Sequence, residues 1–346
     1  IKINGRLIGP GQRTLVIAEI GVNHDGSVDR AIELVRHAAA AGADAVKLQI
    51  FSADALMNSA STFADYQKQR VEDASPVEML RRYELSAEDC QRIVRQIVRL
   101  GMIPLATPFS PVNVDTIEQL DLPAIKIASP DLVNYLLLER AARSGRPLLV
   151  STGASTRAEI EQTVQWLRGW KAPFGLMHCI SSYPTASDAA HLSWIHELAR
   201  FEAPVGYSDH TTASLAGALA VAAGACVVEK HLTYDRSAAG PDHAASADPF
   251  QFRNYVQFIR LAEELSGASG RHVLACERDV RAVSRQSLVT TRDLAAGEVV
   301  DLKDLTVQRP GTGIAPAEAA AAAGRRALQA LPRGTILQWH MLSDAA

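Results

Sequence analysis

Short apolar, β-branched runs recur along the chain, and each is followed by a segment with helical spacing. The runs fall at 15–21, 44–51, 102–110, 124–130, 147–153, 174–184, 205–210 and 226–233. Between them, Ile32, Val35 and Ala39 share one helical face, as do Ile93, Ile97 and Leu100. Ser86 predicts an N-cap for the second of these helices and Gly101 its C-cap. The nearly all-apolar stretch 214–225 is expected to pack against a sheet. Eight strand–helix units over about 260 residues predict an α/β fold, the (β/α)8 TIM barrel. A doubly wound open sheet is the rival. It would ordinarily have fewer strands and a Gly-rich phosphate turn after the first one, and "AEIGVNHDG" has no G-x-G-x-x-G. The barrel is therefore assigned to residues 1–270. A mixed, polar linker is read over 271–285. Beyond it, 286–346 changes style to short alternating runs punctuated by Gly and Pro, an Ala-rich helical stretch at 315–328 and a strand-like 334–339. This predicts a small, mostly β domain that is marginal alone and expected to lean on a partner subunit.

Composition narrows the function classes. With 35 basic and 38 acidic residues the net charge is −3, so no electrostatic reason exists to expect nucleic acid or a membrane surface as partner. No apolar run reaches the roughly 20 residues of a membrane span, and the first residues lack a signal-peptide pattern. Cys90, Cys179, Cys226 and Cys276 are scattered without a C-x-x-C pair and read as reduced thiols, which predicts a cytoplasmic protein.

Barrel enzymes work at the C-terminal ends of their strands. Reading there yields Glu19; Lys47 and Gln49; Thr107; Lys126 and Ser129; Ser151 and Thr152; His178 and Ser181; Ser208, Asp209 and His210; and Glu229, Lys230 and His231. Taken singly these have bland readings, since a strand-end Ser or Thr is ordinarily a turn former and "SDHT" can simply cap a helix from Thr211 or Thr212. Polar residues at the same end of all eight runs are harder to dismiss, because buried Lys and Glu are costly unless paired or ligand-bound. Two lysines among hydroxyls suit a phosphate plus a carboxylate. His210 and His231, on adjacent strands, can share a divalent cation such as Mn, Fe, Co or Zn, although no H-x-x-x-H or H-E-x-x-H spacing supports it.

Several stretches, in order, resemble one family: "IAEIGVNHDGS", "GADAVKLQ", "EMLRRYELSAED", "ATPFS", "IKIAS", "LLVSTG", "HCISSYPT", "GYSDHT", "VEKHLT" and "GPDH". The chain is similar end to end to the sialic acid synthases, and "SLVTTRDLAAGEVV" with "RPGTGI" resembles their antifreeze-like (SAF) domain. The resemblance implies a transferase that condenses phosphoenolpyruvate with an N-acetylated hexosamine and releases phosphate. N-acetylmannosamine is the default acceptor, and a diacetamido-trideoxyhexose leading to legionaminic or pseudaminic acid is the alternative. It implies His210 and His231 as ligands of a divalent metal, manganese foremost, with magnesium or cobalt as alternatives. It implies Lys47, Thr107, Lys126, Ser129, Ser151 and Ser208 around phosphoenolpyruvate, and Gln49, Tyr183 and Asp242 on the sugar side. Arg309 would reach the acetamido group across a domain-swapped homodimer. Glu19, Asp131 and Asp209 are the carboxylates expected to move protons. Asp131 departs from the family's usual glutamate, which shortens its reach by about 1.5 Å, and Ser181 stands where some members have Asn.

The implied reaction is attack of phosphoenolpyruvate C3 on a metal-polarised aldehyde, then water addition at C2 and C–O cleavage. A Schiff-base aldolase using Lys126 or Lys230 is one rival. A non-catalytic carbohydrate-binding protein is another.

Overall fold

The computed structural model describes residues 1–58, 75–267 and 270–344. The chain divides into two compact units, Ile1–Ala268 and Ser269–Ala346. A two-strand hairpin, β1 (Lys2–Ile3) and β2 (Arg6–Leu7), opens the first unit. Eight parallel strands then close into a barrel: β3 (Leu15–Glu19), β4 (Ala45–Ile50), β5 (Ile103–Pro108), β6 (Ile125–Ile127), β7 (Leu148–Ser151), β8 (Phe174–Cys179), β9 (Val205–Asp209) and β10 (Val227–His231), with β10 pairing back to β3. Helices follow them: α1 (Val28–Ala41), α2 (Ala87–Arg99), α3 (Pro111–Gln119), α4 (Tyr135–Arg143), α5 (Arg157–Gly169), α6 (Trp194–Ala199), α7 (Ala216–Ala222) and α8 (Pro249–Ser266). Each of the eight expected runs contains one of these strands.

Local chemistry sets the helix ends. Ser27 caps α1 by accepting from Arg30 N, and Gly42 ends it at φ +85°. Ser86 accepts from Asp89 N as expected; Leu100 is the C-cap of α2, and Gly101 follows in the left-handed region at φ +77°. The apolar stretch around α7 is not buried on all sides. Ala216, Gly217 and Ala220 face inward, whereas Leu215 and Leu219 are exposed. No side chain caps α7, whose N-cap is Leu215, so the cap expected of Thr211 or Thr212 is not formed.

Alternation along the strands sorts the barrel into layers. Val16, Ala18, Val46 and Leu48 point outward into the helix layer. Leu15, Ile17, Ala45, Leu105, Leu149 and Met177 point inward and fill the N-terminal half, with Ile3 and Ile8 in the same apolar cluster. One residue further along seven of the eight inward rows the side chains become polar, as Glu19, Lys47, Thr107, Lys126, Ser151, Ser208 and Glu229, all buried, while β8 places Cys179 there. The apolar plug is thus the floor on which the polar layer rests.

In the second unit, β11 (Ser287–Thr290) pairs antiparallel with β12 (Leu305–Gln308), and isolated bridges extend the small β domain. Leu288, Val300, Leu337 and Leu342 form its core. Arg292 grips Asp304 bidentately at 2.7 and 2.8 Å. The Ala-rich stretch shrinks to a four-residue helix, Ala319–Ala322, and the strand-like end contributes only an isolated bridge at Ile336. Within 271–285, Arg278–Ser284 is helical rather than irregular. Among the described residues no helix is long and apolar enough to cross a membrane.

Gly206 marks where the plug is tightest. A Cβ there would lie 2.5 Å from Met177 Sδ and 2.8 Å from the Val227 carbonyl. Gly206→Ala is expected to destabilise the protein by about 1–3 kcal/mol through overpacking. Urea unfolding checks this, the midpoint falling with an unchanged slope.

Candidate active site

The polar layer is built from ladder neighbours. Glu19 faces Lys47 in the β3–β4 register, and Ser208 faces Glu229 in β9–β10. Lys47 pairs with Glu19, donates to Thr107 Oγ1 at 2.8 Å and lies 3.7 Å from Glu229. Lys126 donates to Ser151 Oγ at 2.5 Å and to the Ile127 carbonyl at 3.2 Å. Among the described residues its ion-pair partner is Glu229, no closer than 3.9 Å. Ser208 donates to Glu229 at 3.3 Å and neighbours Ser151 at 3.3 Å.

Burial works against every charge here, and the pairings decide the outcome. Burial lowers the Lys126 pKa, and Glu229 offsets only part of that loss. Burial also opposes the charge on Lys47, but Glu19 and Glu229 outweigh it and hold the ammonium above its ordinary range. Glu229 is driven up by burial and down further by Lys126 and Lys47, so it stays ionised. Glu19 is raised, chiefly by burial. Glu19 is the close partner of Lys47, whereas Lys126 has Glu229 no nearer than 3.9 Å, so Lys126 is the less neutralised of the two ammonium groups. That is the electrostatic description of an anion site.

Above this layer lie the imidazoles. His210 Nδ1 sits 2.8 Å from the Ile180 carbonyl, so the Nδ1–H donates and Nε2 keeps its lone pair. Its ring centroid is 5.6 Å from that of His231 and 4.1 Å from that of Tyr183. Burial lowers the His210 pKa to about 4 and that of His231 well below normal, so both rings are neutral ligands at pH 7. His231 Nδ1 is buried without a hydrogen-bond partner, 3.7 Å from Asp242 Oδ2. Two neutral imidazoles on adjacent strands fit a divalent cation. Among the described residues no group of three His, Cys, Asp or Glu side chains is arranged to hold one, so the other positions would fall to water and substrate.

These residues line one cavity of about 230 Å³. Lys47, Gln49, Thr107, Lys126, Ser129, Ser151, Tyr183, Ser208, His210, His231 and Asp242, all expected from sequence, are in its wall. Glu19 is buried directly behind Lys47. Glu229, read among the strand ends but given no part in the site, is the shared counter-charge and lies on the same strand face as His231. Sequence reasoning missed two further contributors. Cys179, whose Sγ is 2.9 Å from Ser129 Oγ, has the same parity as Met177. An apolar wall of Val22, Phe51, Leu56, Met79, Leu80 and Phe109 comes from loops and from two short helices, Ala53–Leu56 and Pro76–Arg81, too short to give a periodic signal.

Besides Glu19, three expected residues are not brought into that wall. Asp209 points outward, accepting from Tyr207 Oη at 3.1 Å and Thr211 N at 2.8 Å while pairing with Lys230 at 3.0 Å. It cannot move substrate protons from there, because strand alternation sends it away from Ser208. The same geometry removes Lys230 as a Schiff-base nucleophile. Asp131 ends a 3-10 turn, Ser129–Asp131, and accepts from Asn134 Nδ2 at 2.9 Å; Pro130, not Asp131, lines the cavity. Burial raises its pKa. Arg309 belongs to the second unit, where its side chain is exposed.

Comparison with known proteins places this geometry. The NeuB family model matches residues 34–271 and the SAF domain model residues 285–343. The chain is 39% identical to the N,N'-diacetyllegionaminic acid synthase of Legionella pneumophila, over 98% of this chain and 97% of that one. It is 30% identical to the N-acetylneuraminate-9-phosphate synthase of Mus musculus, over 88% and 85%. The crystal structure of N-acetylneuraminic acid (sialic acid) synthetase from Leptospira borgpetersenii, in complex with citrate, superposes with a TM-score of 0.74 at 31% identity, over 81% of this chain and 94% of that one.

The buried histidines near the site also set acid stability. His24 accepts from Gly26 N at 3.1 Å, and burial lowers its pKa from 6.5 to about 4. Between those values the unfolded chain binds a proton that the folded ring refuses, so stability falls as pH drops through this window. His178, also lowered by burial, acts in the same sense. In His24→Asn, whose Oδ1 can accept from Gly26, the loss across this window is expected to be shallower, as read from urea midpoints against pH.

Proposed function

The chain belongs to the NeuB family and carries a SAF domain, and from this premise we propose that it condenses phosphoenolpyruvate with an acetamido aldose, releasing phosphate and a nonulosonic acid. The relatives' names support the class. The observation that carries the reading is Lys126, whose nearest carboxylate is 3.9 Å away, set with Lys47 beside two neutral imidazoles in one cavity.

In this reading Lys47 and Lys126, with Thr107, Ser129, Ser151 and Ser208, hold the phosphate and carboxylate of phosphoenolpyruvate. Glu229 keeps the two ammonium groups in place. A divalent cation on His210 and His231, manganese foremost, supplies Lewis-acid polarisation of the acceptor aldehyde when bound. Gln49, Tyr183 and Asp242 orient the open-chain sugar. The C3–aldehyde bond forms, water adds at C2, and the C2–O bond to phosphate breaks. A proton-carrying role for Asp131 rests on the family resemblance alone, since Pro130 rather than Asp131 lines the cavity, and Glu19 supports Lys47. Arg309 and the domain-swapped homodimer rest on the family resemblance alone.

N-acetylmannosamine is the acceptor expected from sequence. A second acceptor class is favoured by one observation, the apolar wall of Val22, Phe51, Met79 and Phe109. Such a wall suits the methyl groups of a diacetamido-trideoxyhexose better than the additional hydroxyls of N-acetylmannosamine, which agrees with the Legionella relative.

A phosphate-release assay with phosphoenolpyruvate against a panel of acceptors, with and without Mn²⁺, tests the proposal. Turnover is expected with a free acetamido aldose and is lost in EDTA. His210→Ala combined with His231→Ala should lower it by about 10²-fold or more. An EDTA-insensitive activity trapped on Lys126 by borohydride would make the enzyme an aldolase instead.

A further inference from the structure

Two loops at the barrel mouth are locked together by a buried polar network that the reaction chemistry does not use. One follows β3 and contains Asn23, His24 and Asp25. The other follows β10 and runs from Leu232 through Asp242 and His243. His243, fully buried, lies with Nε2 3.0 Å from Asp25 Oδ1 and Nδ1 2.6 Å from Thr233 Oγ1. Tyr234 Oη donates to the other Asp25 oxygen at 2.8 Å, and Arg30 pairs with it at 2.5 Å. A second strut runs from Asn23 Nδ2 to the Leu232 carbonyl at 3.0 Å and Ser246 Oγ at 2.8 Å, and Ser246 donates to the Asp242 carbonyl at 2.7 Å. Gly240, at φ +152°, lets the chain pass over the His243 ring, where a Cβ would meet Cδ2 at 2.8 Å.

The residue held between these struts is Asp242. Its backbone carbonyl is fixed by Ser246 and its successor by Asp25, and its carboxylate lies 3.7 Å from the otherwise unpartnered His231 Nδ1. A network in which Asp25, His243, Thr233 and Ser246 are all hydrogen-bonded, Asn23 Oδ1 alone of its buried side-chain atoms lacking a partner, specifies one arrangement of the loop rather than a range of them. We propose that Asp25 and His243 are positioning residues. Their bond sets the 232–246 loop so that Asp242 faces His231 and the acceptor. The acceptor half of this statement rests on the synthase reading above.

The test is steady-state phosphate release by the full-length Asp25→Asn and His243→Ala proteins, varying each substrate separately. Misplacing a substrate-orienting group by about 1 Å can cost about 10²-fold. The expected result is therefore a loss of that order in kcat/KM for the acceptor, with the phosphoenolpyruvate KM within about twofold of wild type. His243→Gln, which keeps a donor and an acceptor, should regain part of the loss. Equal losses for both substrates, no loss, or a loss that follows the unfolding midpoint overturn the proposal. If His243→Ala does not fold, the near-isosteric Asp25→Asn decides. If the wild-type protein consumes no phosphoenolpyruvate with any acceptor, the synthase reading fails. A crystal structure of Asp25→Asn then judges the positioning: Asp242 displaced from His231 supports it, and an unmoved Asp242 overturns it.

Discussion

Two lysines and two glutamates inside a closed barrel are the constraint on which the rest of this structure depends. Charges taken out of water are expensive, and a pair repays the cost only when geometry and hydrogen bonds are good. Here they are good for Lys47, which reaches Glu19, Thr107 and Glu229. They are poorer for Lys126, which leans on hydroxyls and a carboxylate 3.9 Å away. The barrel tolerates this because the plug of Leu15, Ile17, Leu105 and Met177 holds every strand in register beneath the charges. Stability is given up at Lys126, and an anion is the natural way to recover it.

The imidazoles obey the same logic with the opposite sign. Burial keeps His210 and His231 neutral, and a neutral imidazole is what a cation requires. One cavity therefore has an anion-seeking floor and a cation-seeking rim. A phosphorylated enol acid and a polarised carbonyl would meet where those two regions join. Outside the barrel, Asp209 and Lys230 neutralise each other between strand and helix and stiffen the β9–β10 edge that carries the histidines.

Much of this was legible from strand parity. Lys47 with Gln49 shares one face, and the eight polar strand ends point to one mouth; both readings need only the two-residue period. Asp209 was named among the proton carriers although the same period places it opposite Ser208 and His210 on the strand, where it supports the site by pairing with Lys230 instead. Glu229 was read at its strand end but given no role, although it shares parity with His231. Other features were not readable at all. Asp131 lies past the end of β6, in a 3-10 turn where alternation no longer applies. The apolar wall comes from loops and two short helices that carry too few residues for a period to show. The Ala-rich stretch overstated its helix, because of that four-residue helix only Ala322 is buried and little holds a longer one.

Titration calorimetry of phosphoenolpyruvate alone onto the wild-type and Lys126→Met proteins, paired with their unfolding midpoints, reaches the central claim most directly. If an under-neutralised lysine is what the fold holds in reserve for its substrate, Lys126→Met will lose phosphoenolpyruvate binding by at least about tenfold while unfolding no more readily than wild type. Undiminished binding by Lys126→Met would contradict the account.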